Sequence, residues 1–275
     1  MRLGIAGGIS HRTPEEWAEK QYNLGCGAVN LPLDFKAADS ALDAYMKACK
    51  DFGLIIAEVG AWCNPMSAVT EERNKNVQYI KDQLGFADRI GARCCVNIAG
   101  TSGEIWDGGY IENYSDDMYK RIVETVQEII DDVNPQNTCY TLEPMPWMVP
   151  HSPESYVKLI EDIGRDKFAA HLDVVNMINC PERYFFNGDF IDKCVDIMGK
   201  YIRSCHVKDV KLERFLTFNL KETHCGDGNL DIVRYAKAAH SCDVDMPFML
   251  EHLPNEEAYI NSLNYIKELL KDVSL

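Results

Sequence analysis

Residues 138–173 read TCYTLEPMPWMVPHSPESYVKLIEDIGRDKFAAHLD. Two short apolar runs, TCYTLE from Thr138 and FAAHLD from Phe168, flank one helical segment. Ser152-Pro153-Glu154 supplies a capping serine and a proline at the first helical position, and Gly164 supplies a stop. Both runs are nearly continuous in apolar residues, as strands buried on two faces are. A strand, a helix and a second strand in this order imply parallel pairing and a right-handed crossover.

The same rhythm extends to both ends of the chain. Further strands are expected from Leu3 (LGIA), Gly27 (GAVNL), Leu54 (LIIAEV), Arg93 (RCCVNI), Ile202 (IRSCHV) and Pro247 (PFMLEH). Thr13-Pro14-Glu15-Glu16 opens a helix with an N-cap, a Pro and a capping-box glutamate, and Gly25, Gly53 and Gly91 end the first three helices. VQYIKDQLGFADRI and YKRIVETVQEII carry apolar residues at helical spacing, so each has one face to lay on a sheet. Eight strand–helix units predict a closed (β/α)8 TIM barrel, as one domain over residues 1–275. The Ala6–Gly8 turn does not match G-x-G-x-x-G, which argues against a dinucleotide-binding sheet.

Composition limits the function classes. The 275 residues are 46% apolar and 26% charged, ordinary for a globular chain with a large core. The formal charge of −15 is the wrong sign for a nucleic-acid partner, whose phosphates need a basic footprint. The N-terminus lacks the long apolar region of a signal peptide, and no run reaches the roughly 18 apolar residues of a membrane span. Eleven cysteines with no C-x-x-C pair read as small buried hydrophobes in a reducing cytoplasm, where the protein is expected.

Barrels of this class carry their active sites at the C-terminal ends of the strands. Four successive strands there end in Glu143, Asp173, His206 and Glu251. Taken singly, each reads equally well as a salt-bridge partner, a cap or a core histidine. Three acids and an imidazole gathered in register would repel one another without a cation among them. A divalent metal supplies it, and oxygen donors with one imidazole suit Mn²⁺, Mg²⁺ or Co²⁺ better than a thiolate-rich zinc site. His171 shares the inward face with Asp173 one layer deeper, either orienting that ligand or packing as a buried histidine. Lys208 shares a face with His206 if the strand continues, to touch a substrate oxygen or an acid of the rim. Glu58 and Asn97 close strands three and four as secondary candidates. Trp62, Trp147 and His151 lie in the loops after strands three and five, where aromatic groups stack on a sugar ring or close the mouth. The Gly226–Asn229 stretch GDGN reads as a tight turn.

The segments LEP (Leu142–Pro144), HLDVVN (His171–Asn176), HVKD (His206–Asp209), GDGNLD (Gly226–Asp231) and LEHL (Leu250–Leu253) resemble, in order and spacing, the xylose isomerase-like superfamily, in particular its sugar phosphate isomerase/epimerase group. The resemblance implies one metal, Mn²⁺ first with Mg²⁺, Co²⁺ or Zn²⁺ as alternatives, on Glu143, Asp173, His206 and Glu251. It also implies Glu143 and Glu251 as the acid/base pair of a sugar epimerase or isomerase working through a metal-stabilised enediolate. The substrate-binding candidates are then Trp62, His171, Lys208, His151 and Glu58. Two alternatives stay open: a lyase or deglycosidase of oxidised (3-keto) glycosides, C-glycosides included, and a non-catalytic sugar-binding barrel. DNA-repair relatives with several zinc ions fit poorly with seven histidines and an acidic chain. The expected partners are a small sugar or sugar conjugate and a second copy in a homo-oligomer.

Overall fold

All eight apolar runs form barrel strands in the computed structural model, which describes residues 1–275. In chain order they are β1 (Arg2–Ile5), β2 (Ala28–Val29), β3 (Ile55–Ile56) continuing after Ala57 as β4 (Glu58–Gly60), β5 (Cys94–Asn97), β6 (Tyr140–Leu142), β7 (Phe168–Asp173) and β8 (Ile202–Val207). A hairpin follows, β9 (Asp209–Leu212) and β10 (Leu220–Thr223), and β11 (Pro247–Leu250) is the last barrel strand. Parallel pairing runs β1-β11-β8-β7-β6-β5-β4, with β2 on β3. The Gly27 N–H donates to the Leu3 carbonyl at 2.8 Å and links β1 to β2, closing the ring. The protein is a TIM barrel.

The principal outer helices are α1 (Pro14–Asn23), α2 (Asp39–Asp51), α3 (Thr70–Ile90), α4 (Asp116–Val133) and α5 (Pro153–Ile163). After β7 come the short α6 (Val174–Met177) and α7 (Pro181–Phe185), then α8 (Asn187–Met198), α9 (Ile232–Cys242) and α10 (Glu256–Leu270). Their ends follow the sequence signals. Thr13 caps α1 through the Glu16 N–H, and Ser152 and Ser155 form a capping box on α5. Gly91 and Gly164 end α3 and α5 in the left-handed conformation that glycine adopts at little steric cost. At α1 the expected box is incomplete, because the Glu16 carboxylate accepts from the N–H of Arg12, one residue before the cap. Each long helix buries one stripe; on α4 it is Met118, Ile122, Val126, Ile129 and Ile130.

Two departures bear on the site. The register between β7 and β8 shifts between Ala170 and His171, which sets Asp173 directly opposite His206. The β9–β10 hairpin interrupts the strand–helix alternation and is antiparallel. All eleven cysteines are free; Cys94, Cys95 and Cys205 are wholly buried, and burial pushes the Cys26 and Cys49 thiols up to about 12. No helix is long and apolar enough to cross a membrane.

Candidate active site

Strands β6, β7, β8 and β11 deliver Glu143, Asp173, His206 and Glu251 to one place, all four residues buried. One ligand atom from each lies within 4.8 Å of the other three. Each residue spends one donor on the protein and keeps another for the centre. Glu143 Oε1 accepts from Asn176 Nδ2 at 2.8 Å, and its Oε2 is 3.6 Å from His206 Nδ1. Asp173 Oδ1 caps α6 through the Asn176 N–H at 3.0 Å. Glu251 Oε1 accepts from Lys208 Nζ at 2.6 Å, and its Oε2 is 2.8 Å from His206 Nδ1. His206 Nε2 is 2.8 Å from Glu58 Oε1.

That last contact decides the histidine's chemistry. With Nε2–H donating to Glu58, Nδ1 faces two carboxylates, and a bare lone pair there would be repelled by both. Nδ1 must therefore carry a cation, either a proton or a metal ion. Burial lowers the His206 pKa, but Glu251, Glu58 and Glu143 outweigh it and hold the ring well above its ordinary value. Burial raises the glutamates, yet His206 and Lys208 bring Glu251 well below the carboxylate range, and Glu143 below it too. Asp173 goes the other way: burial drives its carboxyl well up, with Lys208 opposing. Its Oδ2 lies 2.7 Å from Lys208 Nζ but off the hydrogen-bonding direction, so Oδ2 and His206 Nδ1 are both buried without a hydrogen bond. Two orphaned donor atoms within a ring of three carboxylates and an imidazole fit a divalent oxygen-seeking metal.

Lys208 follows the end of β8 and is buried among Asp173, Glu251 and, at 3.1 Å, Glu222 of β10. It supplies a second positive charge that sequence reasoning placed only loosely. Glu58 is more central than its position on an interrupted strand suggests. Its carboxylate accepts from Asn30, Ser204 and His206 and stands 3.6 Å from His171 Nδ1. Burial raises it, but His206 and His171 bring it down to about 2. His171 is wholly buried beneath His206, the two rings meeting edge to face at 4.1 Å, and neither of its nitrogens is hydrogen-bonded. Burial, with His206 beside it, lowers it to about 4.

Trp62 stands beside the centre, its ring 6.5 Å from that of His206, and Trp147 lies on the rim. Asn97 is buried and ties down the loop after β4 through Cys63. His151 packs against Tyr114 instead of lining the cavity. The GDGN turn serves Asp209, whose carboxylate accepts the N–H groups of Val210, Gly226, Gly228 and Leu230. Two residues of the mouth escaped sequence reasoning: His252, held with φ 55° beside Glu251, and Glu222, which accepts from it at 2.9 Å.

A family model described as the xylose isomerase-like TIM barrel matches residues 19–269. The chain belongs to that family. Solved structures agree on the fold at low identity. A xylose isomerase-like barrel protein from Mycobacterium smegmatis, in complex with magnesium, is 17% identical with a TM-score of 0.67, over 96% of this chain and 91% of that one. The probable 3-DHS dehydratase AsbF from Bacillus anthracis is 13% identical with a TM-score of 0.76, covering both chains fully at 100%. D-psicose 3-epimerase from Clostridium cellulolyticum H10, solved with D-tagatose, is 14% identical with a TM-score of 0.70 over 99% of each chain. No curated protein matches by sequence.

Proposed function

We propose that this chain is a divalent-metal-dependent sugar epimerase or isomerase in which Glu143 and Glu251 move the proton. The carrying observation is the set of donors directed at one point by Glu143, Asp173, His206 and Glu251, each residue anchored through its other donor. Three carboxylates and one imidazole suit Mn²⁺, with Mg²⁺, Co²⁺ or Zn²⁺ as alternatives. When bound, such an ion would polarise the carbonyl and neighbouring hydroxyl of a sugar, making the α-proton acidic. Both glutamates are ionised, so either can accept that proton. Two strands, β7 and β8, separate them around the ring. Removal on one face and return on the other inverts the carbon, whereas return to the neighbouring carbon gives an aldose–ketose isomer. Glu58 fixes the His206 ring, Lys208 fixes Glu251, and Trp62 covers the floor against water. A neighbour of the same fold solved with D-tagatose supports a sugar as substrate.

The test is elemental mass spectrometry of the native protein, Glu143→Gln and His206→Ala, with a panel of ketoses and keto-glycosides run in D₂O. A single ion per chain that is lost in the variants, and deuterium taken up beside the carbonyl in a product otherwise unchanged in mass, support the reading. No ion after reconstitution with Mn²⁺ would refute it. A released aglycone would replace it by metal-assisted elimination. Tight sugar binding without turnover would leave a binding barrel.

A further inference from the structure

The cavity lined by Glu143, His206 and Glu251 has a volume of about 980 Å³, near the top of the roughly 300–1,000 Å³ range that holds drug-sized ligands. A single sugar ring would occupy only its floor. The two levels differ in chemistry. The floor is polar, made by Glu58, Glu143, His206 and Glu251 with the carboxamides of Asn30 and Asn176. The rest of the lining carries large apolar groups, among them Trp106, Trp147, Met145, Phe218 and Leu220, with polar side chains such as Asn179 and Asn219 between them.

The outer wall is also built rather than loose. The Trp147 indole donates from Nε1 to the Asp107 carbonyl at 2.7 Å. Its ring lies over Gly109, where a Cβ would come within 3.2 Å of Trp147 Cγ. Buried Asn113 donates to the carbonyls of both Trp147 and Gly108, locking two loops together. Yet Trp147 is 42% exposed. A large aromatic group fixed by hydrogen bonds and left uncovered at the rim of a cavity offers a shelf for a flat apolar partner.

Charge narrows the ligand further. No Lys or Arg lines the cavity, whereas Asp107 and Glu222 stand on its wall with the three glutamates of the floor. Lys208 lies behind the lining, its charge taken up by Asp173, Glu222 and Glu251. A phosphate or carboxylate on the outer part of the substrate would meet Asp107 and Glu222, and the one basic group of the mouth, His252, is already engaged by Glu222 at 2.9 Å.

We propose that the substrate is an uncharged keto-glycoside whose sugar, carrying the ketone that the proton transfer needs, sits on the floor and whose flat, apolar or aromatic aglycone stacks on the Trp147 shelf. Plain glycosides, which lack that ketone, serve below as non-reacting binding probes. This rests on the sugar reading above and adds the second half of the molecule.

The test is isothermal titration calorimetry on the Mn²⁺-supplemented protein, with phenyl and methyl β-D-glycosides of glucose, galactose and xylose, and with glucose and glucose 6-phosphate. At least one phenyl glycoside should bind about tenfold more tightly than its methyl partner. Trp147→Ala should abolish that difference, while Trp147→Tyr, which keeps a ring and the fold, should retain it. The phosphate should bind no more tightly than glucose. Equal affinity of phenyl and methyl glycosides, no binding of any glycoside, a preference that survives Trp147→Ala, or a preference for the phosphate would overturn the proposal. Repeating the titration in EDTA separates the two readings, because the shelf contains no metal ligand. A phenyl preference without metal binding or turnover would sink the epimerase reading alone; turnover of free sugars without the preference would sink the aglycone alone.

Discussion

Lys208→Met probes how the floor balances its charge. Lys208 Nζ lies 2.7 Å from Asp173 Oδ2 and 2.6 Å from Glu251 Oε1, and the residue is 2% exposed. Burial pushes its ammonium towards neutrality, but Asp173 and Glu251 hold it well above the ordinary lysine range. Methionine keeps most of the stem and removes the charge. Truncating one partner of a buried ion pair costs about 3–5 kcal/mol, because the other charge is left uncompensated. For a chain of this size that lowers Tm by roughly 6–15 °C. Differential scanning calorimetry in EDTA measures the loss. Saturating Mn²⁺ should recover part of it, since an ion held by Asp173 and Glu251 takes over the missing charge. The gap between variant and native Tm should therefore narrow when metal is added. A variant that melts within about 2 °C of the native protein in EDTA, or a gap that widens with Mn²⁺, would show that Lys208 does not balance these carboxylates.

Three further outcomes are expected. Glu58→Gln keeps the shape but weakens the grip on His206 Nε2, and Mn²⁺ affinity measured by chelator competition should fall about 10–100-fold. His171 has a folded pKa of about 4, below its ordinary 6.5, so the unfolded chain takes up the proton first as pH falls. Its contribution is thus fully present above pH 6.5 and is lost progressively down to about pH 4, a difference of about 3 kcal/mol. Urea midpoints of metal-free His171→Leu should have a flatter slope across that window than those of the native protein; an unchanged slope would assign the acid sensitivity elsewhere. At Gly60 a Cβ would stand 2.3 Å from Trp62 Nε1, so Gly60→Ala must displace the indole. Sugar KM should rise several-fold, roughly the 0.5–1.5 kcal/mol of one aromatic contact, with metal content unchanged.

The barrel and the gathering of Glu143, Asp173, His206 and Glu251 at one rim were legible in the sequence because both follow local rules. Buried parallel strands show as short apolar runs, and when four successive runs each end in a carboxylate or histidine, the barrel brings those ends to one rim. The roles of Glu58 and Lys208 were less legible because they depend on what the closed ring brings together. Glu58 meets Ser204 and His206 across 146 and 148 positions of sequence, and no periodicity within β4 reports that. The β9–β10 hairpin escaped because residues 209–223 have no strong core-facing stripe; most of its tip is exposed. His252 escaped because a positive φ at a histidine leaves no mark in composition.

Asp209 has a consequence for how such a protein can change. Its one carboxylate gathers four backbone N–H groups at the root of the hairpin, one residue beyond Lys208. Gly228 is obligatory there, since a Cβ would fall 2.1 Å from Asp209 Oδ1. This mooring separates two inheritances. On one side lie the strand ends that carry Asp173, His206 and Glu251, each fixed by buried partners. On the other lies the stretch from Lys211 to Lys221, which can lengthen, shorten or exchange Phe218 and Leu220 without disturbing His206 or Lys208. A lineage could thus acquire new ligands by rewriting this short surface ribbon, the polar floor carried forward unaltered.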